Sequence, residues 1–326
     1  MENINFLHIS KPDPKHLTLP ALHQTVSYPF PLCSYFLIGL SVHIFLSTGP
    51  VTIPLTNDYL FKAMLQENRN VLKALVCSLL HFSPSQVKDA TITNPIILGE
   101  RVSDKMIILD VNISFNNGSR LNLEMQVVNE YNWPERSTIY ACRNFSRLNK
   151  GSKYNDIKPV YQIGFLDYTL FPDHPSFYAT YKLTDIKTHH VFIDKLSIRV
   201  IDLTNISLAT EEDKRYNIDK WARLFKSQTW EEIKMLASQD VSLSDAAETI
   251  YQLSEDERIQ QECEAREDFI LRQQGMEDLI SEQEQLLSKK DRTISKLQDE
   301  NASQKQEIAN QKQEIARLKA LLASRE

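Results

Sequence analysis

Two acidic side chains stand inside apolar stretches of the chain, where a carboxylate needs a partner. Asp110 follows an Ile-Ile-Leu run, and Glu124 stands between a leucine and a methionine. Burying an acid costs several kcal/mol unless it is paired or binds a cation. If the two acids converge, their oxygens and a backbone carbonyl form a hard site suited to Mg²⁺ with several waters retained. A cation held there polarises a phosphoryl oxygen and activates a water, so the pair favours phosphodiester hydrolysis.

A β-hairpin is predicted to position the two acids. Two strand patterns flank an Asn-Asn-Gly-Ser tetrapeptide, and Asn-Gly between strands indicates a tight turn. A two-residue turn at Asn117-Gly118 sets Asp110 opposite Met125, which puts Asp110 and Glu124 on opposite faces of the hairpin. A bulge or a staggered turn would instead bring them together, because a shift of one residue reverses the faces.

Two further polar residues are candidates for the same site. Gln126 lies two residues beyond Glu124 and points to the same face, where it could orient the attacking water but supplies no positive charge. Asp58 begins a predicted helix that Thr56 or Asn57 caps. Asp58 is either a further acid of the site or a plain first-turn acid that favours the helix dipole.

A basic segment with interleaved tyrosines follows the hairpin. Between residues 136 and 158 there are six basic side chains against one acidic side chain. The pattern is typical of a surface that grips DNA phosphates, and the alternative is a solvated basic helix face. The candidate DNA-binding residues are Arg136, Arg143, Arg147, Lys150 and Lys153.

The elements that carry these residues alternate between helix and strand. Helical spacing of apolar residues follows Asn57, and helices are predicted over 58–65, 71–80 and 134–148. Strand patterns cover 92–98, 106–115, 121–128, 160–166, 177–183 and 196–203. This order predicts an α/β fold in which a mixed central sheet is flanked by helices. Beyond Leu208 the chain is predicted to be almost entirely helical.

Several of these segments together carry a family resemblance. An Asp on one strand, a turn and then Glu-x-Lys on the next strand is the pattern of PD-(D/E)XK nucleases. The chain resembles the recombination-promoting nucleases, which are also described as PD-(D/E)XK nuclease family putative transposases, over about Pro54 to Leu208. The matching segments are Asn57-Asp58-Tyr-Leu-Phe61-Lys62, Leu109-Asp110-Val, Asn122-Leu-Glu124-Met-Gln126, Arg136 to Tyr140, Lys150-Gly-Ser-Lys-Tyr154 and Tyr161 to Asp167.

The resemblance implies a fold and an activity. It implies a PD-(D/E)XK nuclease-like mixed sheet flanked by helices, with Mg²⁺ or another divalent cation bound by Asp110 and Glu124. The glutamine at Gln126 replaces the lysine of the broad pattern and is the usual form in the narrower family. The expected function is a metal-dependent DNA endonuclease linked to recombination or mobile elements. The alternative is a catalytically inactive DNA-binding or coiled-coil interaction remnant of a transposase-like gene.

The composition excludes several other classes. Seven glycines in 326 residues leave little room for glycine-rich phosphate loops, and the four cysteines show no zinc-ligand or disulfide spacing. This cysteine usage suits a reducing compartment, so a cytoplasmic protein is expected. The apolar run from Tyr35 to Leu46 is shorter than the roughly 20 residues of a membrane span. No stable membrane association is therefore expected.

A heptad pattern near the C-terminus predicts a coiled coil that joins two copies in a parallel homodimer. The alternative is a lone solvated helix. Asn301 at a single a position is typical of a residue that sets register. The a positions are Ile280, Leu287, Ile294, Asn301, Ile308, Ile315 and Leu322, and the more polar d positions are Gln283, Lys290, Leu297, Gln304, Gln311 and Leu318.

The patterns divide the chain into four segments. Residues 1–50 are predicted to form a poorly ordered leader that is rich in proline and histidine. Residues 51–208 form the nuclease-like domain. A helical extension over 209–254 precedes the long helix or coiled coil over 255–326.

Overall fold

The computed structural model describes residues 42–87, 89–94, 110–148 and 151–323, in which six strands form one sheet. The strands are β1 (Ala90–Ile92), β2 (Val111–Phe115), β3 (Arg120–Gln126), β4 (Val160–Leu166), β5 (Tyr178–Tyr181) and β6 (Leu196–Asp202). Their spatial order is β1-β2-β3-β4-β6-β5.

The sheet is mixed. Strands β1, β2 and β3 form an antiparallel meander, whereas β3, β4 and β6 run parallel to one another. Strand β5 pairs antiparallel with β6 and forms the far edge of the sheet. The predicted mixed central sheet is therefore confirmed.

Helices flank the sheet on both faces. They are α1 (Val42–Leu46), α2 (Asp58–Glu67), α3 (Arg69–Leu80), α4 (Trp133–Phe145), α5 (Glu211–Arg215), α6 (Ile218–Lys226), α7 (Trp230–Ala237), α8 (Val241–Ser254) and α9 (Glu257–Ala323). Two short 3₁₀ turns lie at Tyr154–Asp156 and Ile206–Leu208. The predicted flanking helices and the long C-terminal helix are confirmed, whereas the coiled coil stays a prediction.

Local capping sets the bounds of the first two sheet-flanking helices. The Asn57 side chain accepts hydrogen bonds from the backbone N–H groups of Tyr59 and Leu60 at 3.1 and 3.2 Å, so α2 begins at Asp58. Asn68 ends α2 and caps α3 in the same way. Helix α3 ends at Leu80, because the next residue, His81, has a φ of 58° that breaks the helical path. These bonds satisfy N–H groups that a helix N-terminus otherwise leaves unpaired.

The two faces of the sheet have different partners. On one face, Leu121, Leu123 and Met125 of β3 join a large core with residues of α2, α3 and the helices from α6 to α8. On the other face, Trp133 of α4 packs against Leu166 of β4. The side chains of β3 alternate, so Glu124 lies on the face that α4 covers.

The four-segment division of the chain stays a prediction. The residues of 209–254 share the hydrophobic core of the sheet rather than forming a separate cluster. Helix α9 also begins in this core, because Ile259 and Cys263 are buried there. The parts of the predicted strands at 95–98 and 106–109 lie outside the described residues.

Part of the predicted leader packs on the helical layer. Residues 1–41 lie outside the described residues, whereas Ile44 of α1 is fully buried. The Gly49 carbonyl accepts a hydrogen bond from the Trp230 N–H at 2.9 Å, and the Val51 N–H donates to the Gln228 carbonyl at 2.9 Å. Of the helices in the described ranges, none has both the length and the apolar character that crossing a membrane requires.

Candidate active site

The hairpin turn differs by one residue from the predicted turn. The Ser119 carbonyl accepts a hydrogen bond from the Phe115 N–H at 3.0 Å, and Gly118 adopts a φ of 83°. The loop therefore holds three residues, Asn116 to Gly118, with glycine in the left-handed position typical of such loops. The two-residue turn predicted at Asn117-Gly118 was wrong.

The three-residue loop brings the two acids together. The register pairs Val111 with Leu123 and Asn112 with Asn122. Asp110, the residue before β2, therefore falls opposite Glu124 rather than opposite Met125. The predicted opposition to Met125 was wrong, and the alternative with both acids on one face is the arrangement in the structure.

Each carboxylate has one oxygen held by a neighbour. Oδ2 of Asp110 accepts a hydrogen bond from Nδ2 of Asn112 at 3.1 Å, and Oε1 of Glu124 accepts one from Nη2 of Arg136 at 2.6 Å. The other oxygens, Oδ1 of Asp110 and Oε2 of Glu124, are buried and have no hydrogen-bond partner among the described residues. Buried oxygens in this state are suited to bind a cation.

The electrostatic environment sets the two acids apart from ordinary surface carboxylates. Burial raises the pKa of Glu124 to about 7, with Arg136 opposing the shift and Asp110 adding to it. Burial also raises the pKa of Asp110, while Lys62 and the side-chain amide of Asn112 oppose that rise. Shifted acids that sit side by side are a mark of functional sites.

Arg136 lies at the centre of the site rather than on an outer surface. Its Nη2 contacts both Glu124 and Oε1 of Gln126, and its Nη1 forms an ion pair with Glu130 at 3.0 Å. Nε2 of Gln126 donates to the Val128 carbonyl at 2.9 Å. The structure thus brings Gln126 beside Glu124, as predicted from their spacing, and adds a guanidinium between them.

Lys62 is a site residue that the sequence analysis missed. It lies on α2 one turn after Asp58 and is only 2% exposed. Burial lowers the pKa of Lys62, and the carboxylates of Asp110 and Asp58 oppose that effect. A lysine four residues after an acid on one helix was the available signal, since such a pair shares a helix face.

Asp58 has a strong partner outside the acidic pair. Nε of Arg266 on α9 lies 2.9 Å from both carboxylate oxygens of Asp58, and Nη2 lies 2.7 Å from Oδ2. Beside it, Nδ2 of Asn57 donates to the Cys263 carbonyl at 3.2 Å. The start of the long helix is therefore bound to the N-terminus of α2, next to the candidate site.

A close packing contact positions the helix that carries Arg136. Gly164 of β4 lies next to Glu124 in the sheet register. A Cβ atom at Gly164 would lie 2.3 Å from the ring of Trp133, the first residue of α4. The glycine therefore lets Trp133 approach the sheet, and Arg136 follows one turn later above Glu124.

Tyr168 is another neighbour that the sequence analysis missed. Its hydroxyl is buried without a hydrogen-bond partner in the described part of the chain. Burial raises its pKa, with Arg136 opposing the rise and Glu124 adding to it. An aromatic two residues after a buried strand gives no sequence signal for a site, so this position was not predictable.

The other predicted DNA-binding residues lie along or after α4. Arg143 is exposed and its guanidinium lies 6.0 Å from the centre of the Tyr140 ring. Arg147 and Lys153 are exposed after the helix end. Lys150 lies outside the described residues.

The described residues offer two carboxylates for a cation. Over 42–87, 89–94, 110–148 and 151–323, no three His, Cys, Asp or Glu side chains group in a way that could hold a metal ion. Of the acids predicted from the sequence, Asp110 and Glu124 each have one buried oxygen without a hydrogen-bond partner in the described part of the chain. Mg²⁺ is commonly bound by one or two carboxylates together with waters and substrate phosphates, so the pair fits that cation.

A comparison with protein families identifies the chain's relatives. The family model of the PD-(D/E)XK nuclease family transposases matches residues 55–278. The chain belongs to this family, and membership supports a nuclease-like or transposase-related role. No curated protein and no solved structure matches the chain. The matched range includes the hairpin, α4 and the first part of α9, and it ends before the first heptad position at Ile280.

Proposed function

We propose that the protein is a metal-dependent DNA endonuclease linked to recombination or mobile elements. The observation that carries the proposal is the pairing of Asp110 with Glu124, each with one buried oxygen that no described residue satisfies. Mg²⁺ or another divalent cation bound there would polarise a phosphoryl oxygen and activate a water. Family membership supports the same chemistry.

The chain's own residues have distinct parts in this proposal. Asp110 and Glu124 hold the cation through their oxygens. Arg136 and Lys62 bring positive charge to a phosphate that approaches the acidic pair. Gln126 is uncharged and cannot take this part. Asp58 acts through Lys62, because its own oxygens are engaged by Arg266. Gln126 contacts Arg136 and keeps that guanidinium beside Glu124.

DNA is the proposed substrate, and the basic residues of α4 and the following loop are its proposed contacts. Arg136 and Arg143 are seven residues apart on one helix and share a face. Tyr140 lies between them on the same face, and we propose that DNA follows a path from Glu124 along this face toward the exposed Arg147 and Lys153. A DNA backbone that follows this path reaches the acidic pair at one end.

Neutralising the exposed basic residues should flatten the salt dependence of DNA binding. Each phosphate contact adds about one unit to the slope of log affinity against log salt. The triple substitution Arg143→Gln, Arg147→Gln and Lys153→Gln should therefore lower the slope by about three units. Lys187→Gln, Lys214→Gln and Arg215→Gln remove equal charge elsewhere and serve as the control. A slope unchanged by the first triple variant would reject this surface.

We further propose that the chain works as a homodimer through the C-terminal helix. Two sites in one assembly would allow both strands of a duplex to be cut in one encounter.

A reducing, cytoplasmic setting is proposed because Cys77, Cys142 and Cys263 are free thiols.

A second candidate is a catalytically inactive DNA-binding or coiled-coil interaction remnant. The exposed heptad face of α9 favours this second candidate, because it could still bind a partner if the acidic site were catalytically inactive. Plasmid cleavage separates the two candidates.

Cleavage of supercoiled plasmid with Mg²⁺ against EDTA is the test of the proposed activity. Wild-type protein should cleave only with the cation, and Asp110→Ala and Glu124→Ala should each abolish cleavage while the far-UV circular dichroism stays unchanged. Gln126→Ala should weaken cleavage less severely. Asp173→Ala removes a carboxylate that is 77% exposed and should leave the rate unchanged. Full cleavage by either acid variant would reject the assignment.

A further inference from the structure

The last part of α9 presents a heptad seam, with mostly isoleucine at a and a mixture of leucine and glutamine at d, that no described residue of this chain covers. The last buried side chain described on α9 is Cys263. Further along, Ile294, Ile308 and Ile315 are 52%, 52% and 54% exposed. They occupy heptad a positions, so they line one side of the helix. The seam begins beyond residue 278, where the family match ends.

Charged residues of opposite sign border this seam on its two sides. In the frame that puts Asn301 at a, the g positions of three consecutive heptads are Glu and the e positions are Lys. The g residues are Glu300, Glu307 and Glu314, and the e residues are Lys305, Lys312 and Lys319. All six side chains are exposed.

This arrangement selects the orientation of a partner helix. In two parallel helices in register, each g residue faces the e residue five positions later on the other helix. Glu300 then faces Lys305 of the partner subunit, Glu307 faces Lys312 of the partner subunit, and Glu314 faces Lys319 of the partner subunit. In an antiparallel pair, g faces g and e faces e. Glutamates would then meet glutamates and lysines would meet lysines.

Asn301 distinguishes the in-register pair from a shifted one. A shift of one heptad keeps two of the three Glu–Lys contacts but sets each Asn301 against an isoleucine. In register, the two asparagine side chains face each other and can exchange a hydrogen bond. A buried polar a residue of this kind specifies register at a cost in stability.

We propose that the segment of α9 from Ile294 to Leu318 binds a second copy of this chain as a parallel, in-register coiled coil with three Glu–Lys contacts along each border. This inference deepens the proposed homodimerisation and rests on it. It does not depend on nuclease activity. Because the pattern lies outside the family match, it is a property of this chain's C-terminal segment.

Cysteine cross-linking in the full-length chain tests the orientation. The exposed native Cys142 is first replaced by Ser, and Gln311→Cys is then added at a d position. In the parallel pair, the two introduced thiols face each other within disulfide reach. In an antiparallel pair centred on Asn301 they stand roughly 30 Å apart. The matched control is Gln306→Cys, at the outward-facing f position of the same helix.

We expect an interchain disulfide in most of the Gln311→Cys chains and in few of the Gln306→Cys chains. Sedimentation of the same proteins under reducing conditions separates the two ways of failing. If the protein sediments as a dimer but does not cross-link through position 311, the parallel, in-register arrangement is rejected and the homodimer is not. A monomer overturns both proposals.

Charge reversal tests the Glu–Lys contacts themselves. One variant carries Glu300→Lys, Glu307→Lys and Glu314→Lys, and the other carries Lys305→Glu, Lys312→Glu and Lys319→Glu. Each variant alone should dimerise at least about tenfold more weakly than wild type, because attraction becomes repulsion along both borders. An equimolar mixture should form the heterodimer. Wild-type affinity in both separate variants would overturn the charge contacts.

Discussion

Glu124 is held between a buried environment that disfavours its charge and a guanidinium that favours it. Burial has the larger effect and raises its pKa to about 7, despite the contact with Arg136. The carboxylate that we propose as a cation ligand is therefore partly protonated near neutral pH. Cation binding must displace that proton, so the two equilibria are linked.

Cation affinity should therefore rise with pH through neutrality. Below about pH 7 a cation competes with the proton on Glu124, whereas above it the carboxylate is already ionised. The raised pKa of Asp110 acts in the same direction. Isothermal titration with Mg²⁺ should give a dissociation constant about tenfold weaker at pH 6 than at pH 8. Equal constants at the two pH values would contradict this role for Glu124.

The sequence alone predicted the pairing of acids as one of two alternatives. Both a two-residue and a three-residue loop fit Asn-Asn-Gly-Ser, because Gly118 accepts a positive φ in either. The choice depends on how the whole hairpin packs, and a shift of one residue changes which residue faces Asp110. Lys62 was not predicted as a site residue because helical periodicity does not reveal which position of α2 lies near the buried carboxylate of Asp110.

At the scale of elements, strand β4 and helix α4 form one unit that holds Arg136 against Glu124. The strand was predicted with its observed bounds, Val160–Leu166, because a short and mostly apolar segment rich in β-branched and aromatic residues is a strong local signal. The approach of α4 was not predictable. It depends on the absence of a Cβ atom in glycine at position 164. Only the packed structure shows that Gly164 lies next to Trp133.

Replacing Gly164 by alanine should disturb this unit. The added Cβ would lie 2.3 Å from the Trp133 ring, so α4 must move. We expect a loss of about 1–3 kcal/mol in the free energy of unfolding, which urea denaturation measures. The displaced Arg136 should also weaken DNA cleavage.

Gly275 is the matched control for that substitution. It lies within α9, and a Cβ there would have no neighbour within 4 Å among the described atoms. Gly275→Ala should stabilise the helix by about 0.5–1 kcal/mol, since alanine loses less backbone entropy than glycine. Equal effects at the two positions would argue against a specific contact at Gly164.

At the scale of the whole molecule, a segment ahead of the family match completes the helical layer. Ile44 is fully buried, and Nζ of Lys234 donates to the Ser47 carbonyl at 2.8 Å. The proline and histidine content indicated a leader without regular structure. Composition does not show that α1 packs against α7 and α8. The contact joins residues that are far apart in the sequence, so no local sequence pattern predicts it.

Two truncations should therefore differ in stability. A chain that begins at residue 42 keeps α1, whereas a chain that begins at residue 51 loses Ile44 and the Gly49 hydrogen bonds. We expect the shorter chain to fold but to unfold with about 2–5 kcal/mol less free energy. Ile44→Ala in the full chain should reproduce much of the loss. Identical urea midpoints for the two truncations would show that α1 does not contribute to the free energy of unfolding.

The proposed activity depends on a cation held by Asp110 and Glu124 together. Calorimetric titration of the full-length protein with Mn²⁺ at pH 8 measures this directly, and it needs neither DNA nor turnover. We expect binding to wild type that is at least about tenfold weaker in both Asp110→Asn and Glu124→Gln, and unchanged in Asp173→Asn. Wild-type affinity in either of the first two variants would contradict the shared site.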